Sequence, residues 1–388
     1  MRFRARVPKW DNGAQCTTGK RDIEQTCGPT GIMRFISRLA LFLQSTTYAM
    51  IGVTVTESAS NNDRETPRST DAIDALNRGQ RSFVRLRRTT AEPAPPPGTP
   101  VTLPEISSDE LMVVGVLGED TFGKVLHVYD HSRREHVAVK QLSGPLSPIA
   151  EARFRRGALL PARLRHRGII EIYGFGRWPG GDSYFVMELV RGIELSALID
   201  QAPTLRERLP LLRHITACAE AIGCAHREHI IHRDIKPENV LINSRGHAVV
   251  IDWGIAKDLG TVEITGDSDL MRAFGDDPRH TVVGTVVGTP PYMPPEQARG
   301  EPVDERADVY ALGALLLQVL TGVAPYAGDN ALAVVQAVID GPPPALSLLP
   351  PSLRPGLVAV IRQALARDRE HRFPNGDALA KALHELAL

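Results

Sequence analysis

The pattern of apolar and polar positions changes near residue 105. Residues 57–90 are polar and show little apolar period, which predicts a mostly disordered N-terminal extension over residues 1–105. The extension ends in a proline-rich stretch, 93–100, of the kind that forms a stiff extended linker. Downstream, apolar residues recur at the intervals of strands and helices, so we expect residues 106–388 to be folded.

The folded part begins with strands and continues with helices. Alternating or continuous apolar runs predict strands at 111–117, 124–129, 135–141, 169–173 and 184–189. One segment between them, 149–165, has the spacing of a helix. Helices then dominate, at 209–227, 307–320, 331–339, 357–365 and 376–386. We therefore predict an α+β chain with a small, strand-rich N-lobe over 106–190 and a larger, mainly helical C-lobe over 191–388.

Composition narrows the class of protein without naming a function. The 388 residues are 43% hydrophobic and 23% charged, as in a soluble globular protein. Lys plus Arg equals Asp plus Glu, so no basic excess favours nucleic-acid binding. Four cysteines occur without a CxxC pair, which disfavours zinc and thioredoxin-type chemistry and is compatible with a reducing compartment.

Residues 39–55 are apolar and follow a basic stretch, as in a signal sequence or anchor. Gln44 and the three hydroxyl residues after it interrupt this run, which is short for a membrane span. We expect a cytoplasmic protein, with membrane anchoring through 39–55 as the less favoured alternative.

The strongest chemical signal is the run His232-Arg233-Asp234-Ile235-Lys236-Pro237-Glu238-Asn239. Phosphoryl transfer needs a carboxylate that orients and deprotonates the attacking hydroxyl. It also needs a cation on the γ-phosphate and oxygen ligands for Mg²⁺. Asp234, Lys236 and Asn239 supply these three groups on one short loop. The alternative interpretation is a solvated loop of mixed charges without a catalytic role. It does not account for eight residues in this order.

A second motif, Asp252-Trp253-Gly254, follows the strand predicted at 247–251. An aspartate that leaves the end of a buried strand can reach a metal ion that bridges nucleotide phosphates. Gly254 lets the chain turn sharply after it. D-x-G is weak evidence alone, but it is strong at this distance after the first motif.

Together the two motifs resemble the protein kinase superfamily, specifically the eukaryotic-like serine/threonine kinases of bacteria. The resemblance covers about residues 111–388 and implies the two-lobed kinase fold, with ATP in the cleft between the lobes. It implies that Asp234 is the catalytic base and that Lys236 contacts the γ-phosphate. It also implies that Asn239 and Asp252 hold Mg²⁺.

The resemblance extends to the nucleotide site. The stretch 137–140 resembles the strand whose lysine grips the α- and β-phosphates, and 185–190 resembles the hinge that bonds the adenine through its backbone. The implied ATP contacts are Leu117, Gly118, Asp120, Gly123, Val125, Ala138, Lys140, Met187, Glu188, Val190 and Leu241. Within this set, Met187 guards the back pocket.

Residues 288–296 resemble the end of the activation segment of these kinases. Arg372 is placed to pair with Glu296. Thr289 stands where serine/threonine kinases place a threonine near the acceptor hydroxyl, which implies protein substrates phosphorylated on Ser or Thr. We expect self-association and autophosphorylation at Thr281 or Thr285. The alternative is that these two threonines only belong to a flexible loop.

Three positions depart from the family pattern. Asp120 stands where the second glycine of the phosphate loop belongs, and Pro161 falls inside the predicted helix 149–165. Gly157 occupies the usual place of the glutamate that pairs with Lys140. Glu151 lies six residues earlier, about 600° round a helix, and would point elsewhere. We therefore expect Lys140 to lack its usual partner, so that catalysis is weak or another contact orders the helix.

Two other functions are weighed against an active protein kinase. A pseudokinase, which would bind nucleotide or act as a scaffold, is favoured by the three departures and opposed by the intact catalytic and metal-binding residues. A small-molecule phosphotransferase of similar fold is opposed by the 234–239 sequence and by Pro295-Glu296 at the end of a peptide-docking segment.

Overall fold

The computed structural model describes residues 8–10, 16–18, 102–120, 123–142, 148–260 and 288–386. The chain divides into two units, residues 1–88 and 89–388. In the first unit, strand β1 (Pro8–Trp10) pairs antiparallel with β2 (Cys16–Thr18). The alternative anchor at 39–55 and the proline-rich stretch 93–100 lie outside the described residues.

The N-lobe of the second unit is a five-stranded antiparallel sheet in the order β3-β4-β5-β7-β6. Its strands are β3 (Leu111–Asp120), β4 (Gly123–Asp130), β5 (Glu135–Leu142), β6 (Ile172–Arg177) and β7 (Ser183–Glu188). The registers place Lys140 opposite Val125 on one side and Phe185 on the other. Lys140 therefore lies on the central strand of the sheet.

Helix α1 (Pro148–Ala162) connects β5 to β6 and packs on the sheet. The ring of Phe154 on this helix lies 4.9 Å from the ring of Phe185 on β7. Burial of two aromatic side chains against one another is a large apolar contribution to the packing of a single helix. The contact between Phe154 and Phe185 holds the middle of α1 against β7, the strand that leads to the hinge.

The strand predicted at 169–173 begins at Ile172 instead. The residues before it bond to the C-lobe: Ile170 N–H donates to the Val250 carbonyl at 3.2 Å, and Val250 N–H donates to the Gly168 carbonyl at 2.8 Å. Residues 168–170 therefore join the two lobes, and strand β6 starts two residues after Ile170.

Residues 102–106 pack against the outer edge of the N-lobe sheet. Ile106 N–H donates to the Phe175 carbonyl at 2.9 Å, and Phe175 N–H donates to the Pro104 carbonyl at 3.1 Å. Leu103 and Ile106 are buried, and Tyr184 Oη donates to the Ile106 carbonyl at 2.6 Å. The contacts of the sheet therefore begin upstream of residue 106, where the folded part was predicted to start.

The described part of the C-lobe is built from helices around α6 and two short pieces of sheet. Its helices are α2 (Leu195–Asp200), α3 (Leu205–Arg208), α4 (Leu212–Arg227), α5 (Pro295–Ala298), α6 (Glu305–Thr321), α7 (Ala331–Asp340), α8 (Pro355–Ala364) and α9 (Gly376–Glu385). Its strands are β8 (Gly192–Glu194), β9 (Ile230–Ile231), β10 (Val240–Asn243), β11 (Ala248–Val250) and β12 (Lys257–Asp258). Strands β11, β10 and β8 form one sheet, and β12 pairs with β9.

Helix α6 is apolar on nearly all of its faces, which is typical of a helix surrounded by protein. The Asp304 carboxylate caps its N-terminus by accepting from Arg306 N–H at 3.0 Å, and Gly322 ends it with a φ of 79°. The predicted α+β, two-lobed class is confirmed. In the described part of the chain, no helix combines the length and apolar character that a membrane crossing requires.

Candidate active site

Strand β9 leads directly into the loop that contains Asp234, and a buried carboxylate holds that loop. Asp308 on α6 accepts from the backbone N–H of His232 at 2.7 Å and of Arg233 at 2.8 Å. Burial by itself raises the pKa of Asp308, but the hydrogen bonds from the His226 side chain and the His232 backbone outweigh it and lower that pKa. Asp308 is thus ionised, and its two oxygens fix the loop, in which Arg233 has a φ of 67°.

Three predicted catalytic side chains meet at the end of this loop. Thr289 Oγ1 donates to Asp234 Oδ1 at 2.7 Å, and Lys236 Nζ donates to Thr289 Oγ1 at 3.0 Å. Lys236 Nζ also lies 3.1 Å from Asp234 Oδ2. A carboxylate, an ammonium group and a hydroxyl therefore form a closed triangle, although Thr289 is 55 residues from Asp234 in the chain.

The two predicted metal ligands lie on neighbouring strand ends. Asn239 Nδ2 donates to the Asp234 carbonyl at 2.8 Å and to Asp234 Oδ2 at 3.1 Å. Ile251 N–H donates to the Asn239 carbonyl at 2.9 Å, which brings Asp252 next to Asn239. Both side-chain bonds of Asn239 use its nitrogen, so the amide oxygen is the atom that a hard cation would take. The donor set fits Mg²⁺.

Asp252 has an unusual backbone and a charged partner. Its φ of 58° is uncommon for a residue with a side chain and turns its carboxylate into the cleft. Lys140 Nζ lies 3.0 Å from Asp252 Oδ1. Burial by itself raises the pKa of Asp252, but the charge and hydrogen bond of Lys140 outweigh it and lower that pKa. The site therefore presents an ionised carboxylate.

A cleft of about 430 Å³ joins these groups to the hinge. It brings together most of the predicted ATP contacts, which are Leu117, Gly118, Val125, Ala138, Lys140, Met187, Glu188, Val190 and Leu241. The walls near the hinge are apolar and the far end is charged, as a purine base and a phosphate chain require. The side chain of Asp120 lies outside the described residues, and Gly123 is buried in the β4–β5 pairing, where it does not line the cleft.

The cleft has further walls that the sequence did not indicate, namely Phe154, Ile170, Ile172, Phe185 and Ile251. They lie in ordinary apolar runs, and nothing in those runs separates a cleft residue from a core residue. At the hinge, Glu188 N–H donates to the Glu171 carbonyl at 2.9 Å, which anchors the backbone there. Burial, with the charges of Glu171 and Glu135, raises the pKa of Glu188.

Helix α1 accounts for two of the departures from the family pattern. An added Cβ on Gly157 would lie 3.2 Å from Gly254 Cα, so the helix rests directly on the Asp252-Trp253-Gly254 turn. Pro161 is the penultimate residue of α1, so the Gly157 carbonyl loses its helical donor, but only one residue of the helix follows the proline. Glu151 pairs with Arg177 on β6 and points away from Lys140, as predicted.

The predicted ion pair at the end of the activation segment is confirmed. Arg372 Nη1 and Nη2 donate to Glu296 Oε1 and Oε2 at 2.6 and 2.9 Å, and both side chains are buried. Near it, Gln297 Nε2 donates to the Arg233 carbonyl at 2.9 Å, which ties α5 to the catalytic loop. Thr281 and Thr285 lie outside the described residues.

Comparison with known proteins agrees with this geometry. The family model of the protein kinase domain matches residues 111–383, so the chain belongs to the protein kinase family. Similar proteins include a probable serine/threonine-protein kinase of Streptomyces coelicolor, 35% identical over 271 residues, which are 68% of this chain and 38% of that protein.

Two further relatives are also bacterial. Serine/threonine-protein kinase PknB of Mycolicibacterium smegmatis is 35% identical over 70% of this chain and 42% of its own length. Serine/threonine-protein kinase pkn3 of Myxococcus xanthus is 33% identical over 70% of this chain and 49% of its own length. The chain thus spans less than half the length of the curated relatives that it matches here.

Proposed function

We propose that the chain is a protein kinase that transfers the γ-phosphate of ATP to serine or threonine hydroxyls of proteins. The observation that carries the proposal is the triangle of Asp234, Lys236 and Thr289, at one end of a cleft with an apolar hinge side. The relatives' names, all of them serine/threonine-protein kinases, support the same activity.

Asp234 accepts a hydrogen bond from a threonine hydroxyl, and this is the contact that a substrate hydroxyl needs for its orientation and deprotonation. Lys236 lies within 3.1 Å of the same carboxylate, where its charge would offset the charge of a moving phosphoryl group. Thr289 and Asn239 donate to the Asp234 carboxylate, and Lys236 donates to Thr289, so little reorganisation is needed at the moment of transfer.

Mg²⁺, when bound, would neutralise charge on the nucleotide phosphates, and Asn239 and Asp252 would hold it. Lys140 would contact the phosphates from the opposite wall, and the backbone of Glu188 and Val190 would bond the adenine. Lys236 and Thr289 support the serine/threonine substrate class, because both resemble the corresponding residues of serine/threonine kinases and they bond to each other beside Asp234. These roles, and the division into an extension over 1–105 and lobes at 106–190 and 191–388, are part of the proposal.

The decisive experiment is transfer of labelled γ-phosphate by the purified chain, with Asp234→Asn as the inactive variant. Asparagine keeps an oxygen that accepts from Thr289, so the fold should survive while the base is lost. Asp329→Asn, at an exposed position, is the matched control and should retain the label. Label that disappears only in Asp234→Asn supports the kinase. No label in the wild type, with ATP still bound, would favour the nucleotide-binding alternative instead.

We further propose self-association and autophosphorylation at Thr281 or Thr285. Arg233 supports this proposal, because it precedes the catalytic aspartate and its Nε donates to the Ile255 carbonyl at 2.7 Å, beside the start of the activation segment. Phosphopeptide mapping of the wild type after incubation with Mg²⁺-ATP tests it, with Asp234→Asn as the blank. Phosphate found only at other sites would reject it.

Cytoplasmic location also remains a proposal, which cell fractionation tests.

A further inference from the structure

Helix α1 touches the segment 252–258 at two points. The first is Gly157, where an added Cβ would lie 3.2 Å from Gly254 Cα and 3.6 Å from the Trp253 carbonyl oxygen. At this distance the helix rests on the backbone of the turn that begins with Asp252. An added Cβ would need the neighbouring backbone to give by a few tenths of an ångström, and the longer side chain of a glutamate would need more room.

The second point is Arg163, which directly follows α1. Its Nη1 donates to Asp258 Oδ2 in a close ion pair, although the two residues are 95 positions apart in the chain. The side chains are only 15% and 12% exposed, so water and salt screen the attraction little. This pair holds the C-terminal end of the helix.

Asp258 connects the pair to the catalytic loop. It lies on β12, opposite Ile230 of β9, and β9 leads directly into His232 and Asp234. Arg163 Nη2 also reaches the Glu228 carbonyl at 3.4 Å, just before β9. The guanidinium group of Arg163 therefore stands where helix α1, the segment 252–258 and the strand before the catalytic loop meet.

We infer that Arg163 and Asp258 are a positioning pair for phosphoryl transfer, and that together with the Gly157 contact they do what a lysine–glutamate bridge does elsewhere. The inference rests on the proposed kinase function. Lys140 is bonded to Asp252 and Gly157 offers no carboxylate, so α1 is joined to the segment 252–258 through its own contacts. Removing one charge of the pair leaves the other desolvated and releases the end of the helix.

The test uses Arg163→Met and Asp258→Asn in the full chain. Asparagine at 258 keeps the oxygen that accepts from Gly260 N–H at 2.8 Å, so that turn is retained while the charge and the acceptor that face Arg163 are lost. We expect each variant to lower kcat about tenfold, which corresponds to about 1.4 kcal/mol. KM for ATP should change less than about twofold, because the cleft contacts are untouched. The double variant should be no slower than either single variant, since the two charges act as one unit.

Arg165→Met is the matched control. Arg165 lies 3.6 Å from Glu171 and both side chains are exposed, so the loss of its charge should leave kcat unchanged. Arg163→Lys, which keeps the charge, should recover part of the activity. Unchanged kcat in Arg163→Met, additive losses in the double variant, or a loss that vanishes after correction for the folded fraction would each overturn the inference.

Amide hydrogen exchange in α1 separates this inference from the kinase proposal, because it needs no transfer activity. Exchange over 148–162 should accelerate in Arg163→Met and Asp258→Asn but not in Arg165→Met. If the wild type transfers no phosphate and exchange still responds in this way, the proposed activity fails while the coupling of helix and segment stands. If exchange does not respond, the inference fails whatever the activity.

Discussion

At Gly157, a close backbone contact between helix α1 and Gly254 stands where a glutamate would be expected to pair with Lys140. In the sequence Gly157 reads as a defect, because a glutamate is expected to pair with Lys140 at this position. In the structure, the missing side chain lets helix α1 approach Gly254 to within contact distance. Lys140 meanwhile bonds Asp252, the first residue of the same turn. The position therefore has a packing role that a glutamate would abolish.

Gly157→Ala should lower kcat by roughly tenfold, or about 1.4 kcal/mol, because the helix and the Asp252 turn must separate by a few tenths of an ångström. Stability should change little, since alanine favours a helix over glycine by about 1 kcal/mol and this offsets the tight contact. Steady-state kinetics and urea unfolding measure the two effects.

Gly341→Ala is the control for this substitution, because an added Cβ there meets nothing within 4 Å. It should leave kcat unchanged. Gly157→Glu should be at least as impaired as Gly157→Ala. A Gly157→Glu variant with wild-type or higher kcat would show that the absent glutamate, and not the close contact, limits the proposed transfer.

Sequence motifs located the charged groups of the site but not all of their partners. Asp234, Lys236 and Asn239 stand within six residues, so one short motif identifies all three. The partner of Lys140 and the Arg163–Asp258 pair depend on where helix α1 sits relative to residues more than ninety positions away. A local sequence pattern carries no information on contacts between residues so far apart in the chain, so only the structure reveals these two ion pairs.

At the scale of the element, the N-lobe sheet shows the same limit. Residues 168–170 are as apolar as a strand, but they bond to β11 of the C-lobe, so strand β6 begins later than predicted. Residues 102–106 show no alternation of apolar and polar residues, so the sequence pattern does not predict their pairing with Phe175. The clue lies in the partner strand: a Cβ on Gly176 would lie 2.4 Å from the Ile106 carbonyl oxygen, so this glycine makes room for the segment.

Helix α4 contains a histidine that should make stability depend on pH. His214 is 3% exposed, and its Nε2 lies 3.4 Å from Arg213 Nε, which donates to it. Burial, and then the charge of Arg213, lowers the pKa of His214 to about 4, from an ordinary value of 6.5. The unfolded chain therefore binds the proton first as pH falls, so stability should decrease between about pH 6.5 and 4.

The expected loss is at most about 3 kcal/mol over that interval, because each pH unit contributes no more than about 1.4 kcal/mol. Urea unfolding at pH 7, 5.5 and 4.5 measures it. His214→Gln should flatten the dependence, whereas His371→Gln, at a site whose side chain is 76% exposed, should reproduce the wild type. Parallel curves for all three proteins would contradict the assignment to His214.

At the scale of the whole molecule, one chain of hydrogen bonds runs from the last helix to the catalytic loop. Gly376 N–H, at the start of α9, donates to His226 Nδ1 at 3.1 Å. The ring proton of His226 is therefore on Nε2, which donates to Asp308 Oδ2 at 3.0 Å. Asp308 in turn accepts from the N–H groups of His232 and Arg233. Helices α9, α4 and α6 thus meet the loop of Asp234 through a single carboxylate.

Asp308→Asn should damage both the fold and the reaction. The amide cannot accept three donors as the carboxylate does, and the group is fully buried, so an N–H is left unpaired. Hydrogen bonds to charged groups contribute about 1.5–3 kcal/mol each, and we expect a loss of about 3 kcal/mol in the free energy of unfolding. Transfer activity of the folded fraction should also fall at least about tenfold, since the loop loses the group that fixes its backbone.

The two effects can be separated by measuring unfolding and transfer on the same preparation, with the exposed Asp340→Asn as a control that should change neither. A stable Asp308→Asn protein that is inactive would mean that the carboxylate orients the loop but contributes little to the fold. A destabilised protein whose folded fraction keeps full activity would mean the reverse, and the loop geometry would then have to come from other contacts, such as the Gln297 bond to the Arg233 carbonyl. We expect stability and activity to fall together, because the three hydrogen bonds that Asp308 accepts both stabilise the core and orient the loop of Asp234.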